Sequence, residues 1–139
     1  MLTNNTALVT GANGWIGSWI VHDLLVKGWT VHAAVRTIRS SGAQELFELG
    51  KVLPGQLKLF EANLLKAEDY HLPMQGCDAV CHVASPVALG RVKQPLQRLV
   101  FPTLFGTQNI LNTVDKTPSV KKVVLTSSVA AVSHKDAST

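Results

Sequence analysis

Short apolar runs alternate with longer stretches in which apolar residues recur every three or four positions, and this alternation continues along most of the chain. Residues 6–10 (TALVT) form a run of strand length, ended by Gly11. Ile16, Ile20, Leu24 and Leu25 follow at helical spacing, and Gly28 after Lys27 predicts a C-terminal cap. A second strand is expected over residues 31–35, and Ser40-Ser41-Gly42 breaks the chain before a short helix over 44–49. Pro54-Gly55 turns into a third strand over 57–61, followed by a weaker helical stretch over about 66–74 that Pro73 limits. Residues 79–83 read as the fourth strand, closed by Pro86. The longest helix is expected from about 95 to 115, with a kink or break at Pro102. Residues 123–126 form the fifth strand, and the tail from 133 to 139 is polar.

Strand–helix alternation of this kind predicts the α/β class: a Rossmann-type, doubly wound parallel sheet of about five strands, with helices on both faces and right-handed crossovers. The length of 139 residues fits one domain, and 46% apolar with only 16% charged residues suits a sheet buried on both faces. The net charge of +4 raises the question of an anionic partner. The basic residues are scattered, however, with Lys121-Lys122 the only adjacent pair and no aromatic interleaving, which argues against nucleic acid. Cys81 lies in an apolar run and reads as a small hydrophobe; a redox pair with Cys77, four residues earlier, is the alternative. His22, His32 and His82 fall on different elements without ligand spacing, so no metal is expected, and His134 in the tail carries no reading. No apolar stretch reaches membrane length and the first residues lack a secretory pattern, so the expected setting is cytoplasmic and away from membranes.

The strongest chemical signal is Thr10-Gly11-Ala12-Asn13-Gly14-Trp15-Ile16-Gly17, which joins the first strand to the first helix. Gly11 permits the tight turn, Gly14 lets the backbone approach a pyrophosphate, and Gly17 lets helix and strand pack closely. The free N–H groups at the helix start then face the phosphates. The spacing is Gly-x-x-Gly-x-x-Gly, and its strand–turn–helix setting is what gives it weight. After the second strand comes Arg36, then Arg39, with no acid before Glu45. A carboxylate there would repel a 2′-phosphate, whereas guanidinium pairs with one, so NADP(H) is expected over NAD(H).

Four segments, TGANGWIGSW (10–19), VHAAVR (31–36), HVASP (82–86) and VVLTSSVAAV (123–132), resemble the extended short-chain dehydrogenase/reductase family. Within it the likeness is to the branch of dihydroflavonol, cinnamoyl-CoA and aldehyde/ketone reductases. The resemblance implies that residues 1–139 are an NADP(H)-binding Rossmann domain, the N-terminal part of the family fold. It also implies that the parent enzyme reduces a small-molecule aldehyde or ketone by hydride transfer. Trp15 and Ile16 would then lie beside the pyrophosphate, with Trp19 a packing residue. Val83, Ala84 and Ser85 would line the cofactor, and Asn63-Leu64 would stand where the family has Asp-Leu against the adenine amine. Ser127 would lie near the nicotinamide, and Ser128 would hydrogen-bond the substrate carbonyl oxygen.

The family's proton donor is the tyrosine of a Tyr-x-x-x-Lys helix, whose ammonium lowers the phenol pKa. The one tyrosine here, Tyr70, is followed four residues later by Met74 and precedes the fourth strand. The relay and the substrate lobe are therefore expected beyond residue 139, and the chain alone is expected not to turn over. Two alternatives stand beside this reading: a non-catalytic NADP(H)-binding module, and part of an extended-family epimerase or hydroxysteroid dehydrogenase. An uncovered sheet edge would also favour self-association.

Overall fold

Apolar and β-branched residues fill Thr6–Thr10 (β1) and, except for His32, Thr30–Val35 (β2), and both strands are buried along nearly their whole length. Together with Gln56–Glu61 (β3), Ala79–His82 (β4) and Lys122–Leu125 (β5) they form one parallel sheet in the order β3-β2-β1-β4-β5. The structure, a computed structural model, describes residues 5–88 and 90–133. Of the expected polar tail only Ser133 falls within it, and His134 lies outside the described residues.

Alternate residues of the sheet face opposite sides, and each side has its own cover. Val9, Val31, Ala33 and Val35 pack against Val21 and Leu25 of Trp15–Val26 (α1) and against Ala43 and Leu46 of Ser41–Val52 (α2). On the opposite side Leu8, Ala34 and Val80 meet Tyr70 of the 3-10 turn Ala67–Tyr70, Met74 of His71–Met74 (α3), Cys77, and Ile110 of Phe101–Asp115 (α4). The doubly wound architecture expected from the alternation is the one observed.

Several local expectations change. The buried side of α1 is Gly17, Val21 and Leu25, because the helix meets the sheet most closely at Gly17; Ile16 therefore faces outward, and Ile20 and Leu24 are half-buried. Trp19, expected to pack, is 60% exposed, its ring T-shaped to that of His22 with 5.7 Å between centroids. The serine pair before α2 starts the helix instead of breaking it: Ser40 Oγ accepts the Ala43 N–H at 3.3 Å. Pro102 divides the long helix as expected. A π turn, Leu96–Val100, precedes α4, and the proline sits in the first turn of α4, where its missing N–H costs nothing.

The expectation of a sheet buried on both faces fails at β5. All its residues are exposed, Leu125 at 55%, because among the described residues no element covers either of its faces. Cys77 and Cys81 pack on opposite faces of the sheet, which rules out a pair. Burial, with Asp78 adding to it, pushes the Cys77 thiol up to about 12, and burial raises Cys81 as well, so neither is a reactive thiolate near neutral pH.

Two buried histidines make stability depend on pH. His32 Nδ1 donates to the Pro73 carbonyl at 2.6 Å, and His82 is held between threonines. Burial lowers both pKa values below 6.5; for His32 the Pro73 bond opposes the shift and Lys58 adds to it. Both are neutral in either state well above 6.5, whereas below it the unfolded chain takes up protons that the folded chain refuses. Stability is thus full above 6.5 and falls as the pH drops, by at most about 1.4 kcal/mol per pH unit for each histidine. Urea titrations should show a lower midpoint at pH 5.5 than at pH 7.5; a midpoint that rises on acidification would contradict this.

Candidate functional site

The site is built where strands end and helices begin. β1 stops at Thr10 because Gly11 adopts φ +63°, a left-handed conformation that turns the chain toward α1. Gly14 N–H donates back to the Gly11 carbonyl at 3.0 Å, and Ala12 N–H reaches Ala34 of β2 at 3.2 Å. Asn13 Nδ2 donates to Ser40 Oγ at 3.1 Å, tying the turn to the capping residue of α2. Helix α1 begins at Trp15 with no side chain accepting its first N–H groups and no acidic residue in its first turn. These donors and the positive end of the helix open onto a cleft of about 820 Å³.

The cleft lies at the carboxyl ends of the strands, where the order reverses on either side of β1. It is lined by all the expected binding residues but one: Gly11, Gly14, Trp15, Ile16, Gly17, Arg36, Asn63, Leu64, Val83, Ala84 and Ser85. The exception is Ser127, which, like Ser128, does not line it. Both serines follow β5 and are exposed. Ser128 caps the short helix Val129–Val132 (α5), its Oγ accepting the Ala130 N–H at 3.2 Å. Among the described residues no acceptor takes the hydroxyl hydrogen.

Arg36 follows the last residue of β2, is exposed, and makes no ion pair among the described residues. Its one acidic neighbour in register is Glu61, at the end of β3 opposite Val35, whose carboxylate accepts the Ile38 N–H at 3.1 Å. Asn63 is more occupied than its sequence position suggests. Its Oδ1 already accepts the Leu65 N–H at 3.0 Å, leaving one lone pair, and its own N–H goes to Asp69 Oδ2 at 2.9 Å. Val83 and Ala84 N–H both donate to Thr10 Oγ1, at 3.1 Å each, so this wall offers the cleft carbonyls and side chains rather than those amides.

Tyr70 is no proton donor. It is a core residue, 2% exposed, and burial with the Asp69 charge pushes its phenol up to about 12. Residues not singled out in the sequence also shape the cleft. Asn13 and Pro102 line it, and Thr10 ties its β4 wall. Thr10 as a polar residue ending an apolar strand was the one available signal. Among the described residues there is no cluster of metal-ligating side chains, and no helix is long and apolar enough to cross a membrane.

A comparison with protein families matches residues 7–139 to the family described as NAD dependent epimerase/dehydratase. A cinnamoyl-CoA reductase of Medicago truncatula is 43% identical over 94% of this chain and 40% of its own length. The structure is similar to that of the yeast methylglyoxal/isovaleraldehyde reductase Gre2 complexed with NADPH, with TM-score 0.75 and 30% identity over 91% of this chain and 38% of that one. It is also similar to a UDP-glucose 4-epimerase from Stenotrophomonas maltophila with bound NAD, with TM-score 0.79 and 25% identity over 95% of this chain and 39% of that one. The chain spans about 40% of the length of the curated relatives it matches.

Proposed function

Because this chain belongs to the NAD dependent epimerase/dehydratase family, we propose that it is the NADP(H)-binding portion of an oxidoreductase that reduces an aldehyde or ketone. The single observation that carries the reading is the union, in one cleft, of an uncapped helix start behind a glycine turn and an arginine at the end of β2 that has no ion pair among the described residues. The residues present fit a dinucleotide. The glycine turn leaves backbone N–H groups unanswered where a pyrophosphate would lie, Gly14 puts no Cβ there, and Gly17 lets α1 sit directly against the turn. Arg36 would take the 2′-phosphate, Val83 to Ser85 would flank the nicotinamide side, and Asn63 would use its remaining lone pair on the adenine amine. Bound NADP(H) supplies the hydride. Ser128, whose hydroxyl hydrogen has no acceptor among the described residues, would hold a carbonyl oxygen outside the cleft lining, just past the end of β5.

Relatives named as reductases, and a structural neighbour complexed with NADPH, support the reductase reading over the epimerase one. Isothermal calorimetry on this chain tests the cofactor preference. NADPH is expected to bind at least about tenfold tighter than NADH, the equivalent of roughly 1.4 kcal/mol. Equal affinities would overturn the assignment of Arg36.

A further inference from the structure

Four hydrogen bonds converge on two side chains between β1 and β4. Thr10 and His82 are register partners across these strands. Thr10 Oγ1 lies 2.8 Å from His82 Nδ1 and accepts the N–H groups of Val83 and Ala84 at 3.1 Å each. His82 Nε2 lies 3.2 Å from Thr107 Oγ1 on α4.

A hydroxyl has two lone pairs and one hydrogen. Both lone pairs of Thr10 are taken by amides that can only donate, so its hydrogen must go to His82 Nδ1. That nitrogen must therefore carry no proton, and the neutral ring keeps its proton on Nε2, facing Thr107. Burial opposes a second proton on the ring. Were Nδ1 to carry a proton, two donors would face each other and the Thr10 hydroxyl would have to release one amide.

We propose that His82, as the Nε2–H tautomer, is a positioning residue that orients the Thr10 hydroxyl to clamp the Val83–Ala84 wall of the cleft beside the glycine turn. The clamp has little slack: a Cβ on Gly11 would lie 3.0 Å from Ala84 Cα, so turn and wall already touch. The same histidine fixes the neighbouring strand end, since its carbonyl accepts the Thr126 N–H at 3.0 Å, just ahead of Ser127 and Ser128. One residue thus links α4, the glycine turn and the serine segment. The role rests on the NADP(H) reading of the cleft, but its geometry can be judged without any cofactor.

The test uses the full 139-residue chain. With nitrogen-15-labelled histidine, the His82 signal, assigned by its loss in His82→Asn, is expected to show an unprotonated Nδ1 and a protonated Nε2 at neutral pH. The opposite tautomer overturns the proposal, whether or not any variant folds. In His82→Leu, amide hydrogen exchange at Val83 and Ala84 should accelerate about tenfold more than at β1 amides, a local opening that general destabilisation would not produce. His82→Asn, which keeps an acceptor near the Nδ1 position, should restore protection to within roughly threefold. NADPH affinity should fall about tenfold in His82→Leu, and adding Thr10→Val should weaken it no further than Thr10→Val alone, since both act through one clamp. Uniform acceleration of all amides, or additive losses, would show a merely structural histidine. If the unsubstituted chain binds neither NADPH nor NADH, the functional reading fails instead, and the tautomer and exchange results still decide the role of His82.

Discussion

Gly17→Ala is expected to weaken NADPH binding at least about a hundredfold while leaving a folded but less stable chain. A Cβ at Gly17 would run into the Gly11 carbonyl oxygen and come within 2.9 Å of Gly11 C and 3.0 Å of Ala12 Cα. These are backbone atoms of the turn itself, so no rotamer change relieves the overlap, and α1 must move away from β1. Overpacking of this kind costs about 1–3 kcal/mol. A domain of ordinary stability, about 5–15 kcal/mol, survives it. The first N–H groups of the helix do not stay in place, and a displacement near 1 Å removes their geometry toward a pyrophosphate. Calorimetry should show the dissociation constant raised at least a hundredfold, and urea unfolding the smaller loss of stability. Ile110→Val is the control: it removes about 0.5–1.5 kcal/mol from the opposite face of the sheet and should leave affinity within a factor of two. Wild-type affinity in Gly17→Ala would remove the glycine turn from the binding site.

The second large effect concerns selectivity. Arg36→Glu should weaken NADPH binding by roughly a hundredfold and change NADH binding by less than threefold. The loss of one charge-assisted pair is worth about 1.5–3 kcal/mol, and the new carboxylate adds repulsion toward the 2′-phosphate. NADH lacks that phosphate, and an acid at the end of β2 suits its ribose hydroxyls. Arg36→Gln should give the loss without the repulsion, about tenfold. Arg39 is exposed, and among the described residues its side chain has no hydrogen-bond partner, its backbone N–H going to Thr37 Oγ1 at 3.4 Å. Its replacement by glutamine should matter little. Equal weakening of both dinucleotides by Arg36→Glu would mean that the residue serves the site in some way other than phosphate recognition.

Much of this architecture is legible in the sequence because its signals are local. The runs at 6–10 and 31–35 announce buried parallel strands, and glycines at the mouth of α1 announce a turn that must come near something. Other features depend on contacts that no local pattern encodes. Ser40 reads in the sequence as part of a breaker, and only its bond to Ala43 makes it the cap of α2. Ile16 has the spacing of a core residue, yet the approach of Gly17 to the turn rotates it outward. Val123, Val124 and Leu125 have the composition of a covered strand and are exposed because no described element lies over them. The clamp on Val83 and Ala84 requires Thr10 and His82 to be strand partners, a register set by the pairing of two segments 72 positions apart.

The central place of β1 has a consequence for how the chain comes into being. Of these five strands, the first to leave the ribosome is the one that needs a neighbour on each side. Its partner β2 follows within some twenty residues, so the turn, α1, β2 and the start of α2 can assemble early. Its other partner, and the Asp78 carboxylate that accepts the Thr6 N–H at 2.8 Å, appear only near residue 80. At ordinary elongation rates of about 5–20 residues per second, β1 presents an unpaired flank for seconds. During that interval the nascent cleft has its arginine wall and lacks the one that His82 and Thr10 hold at the end of β4.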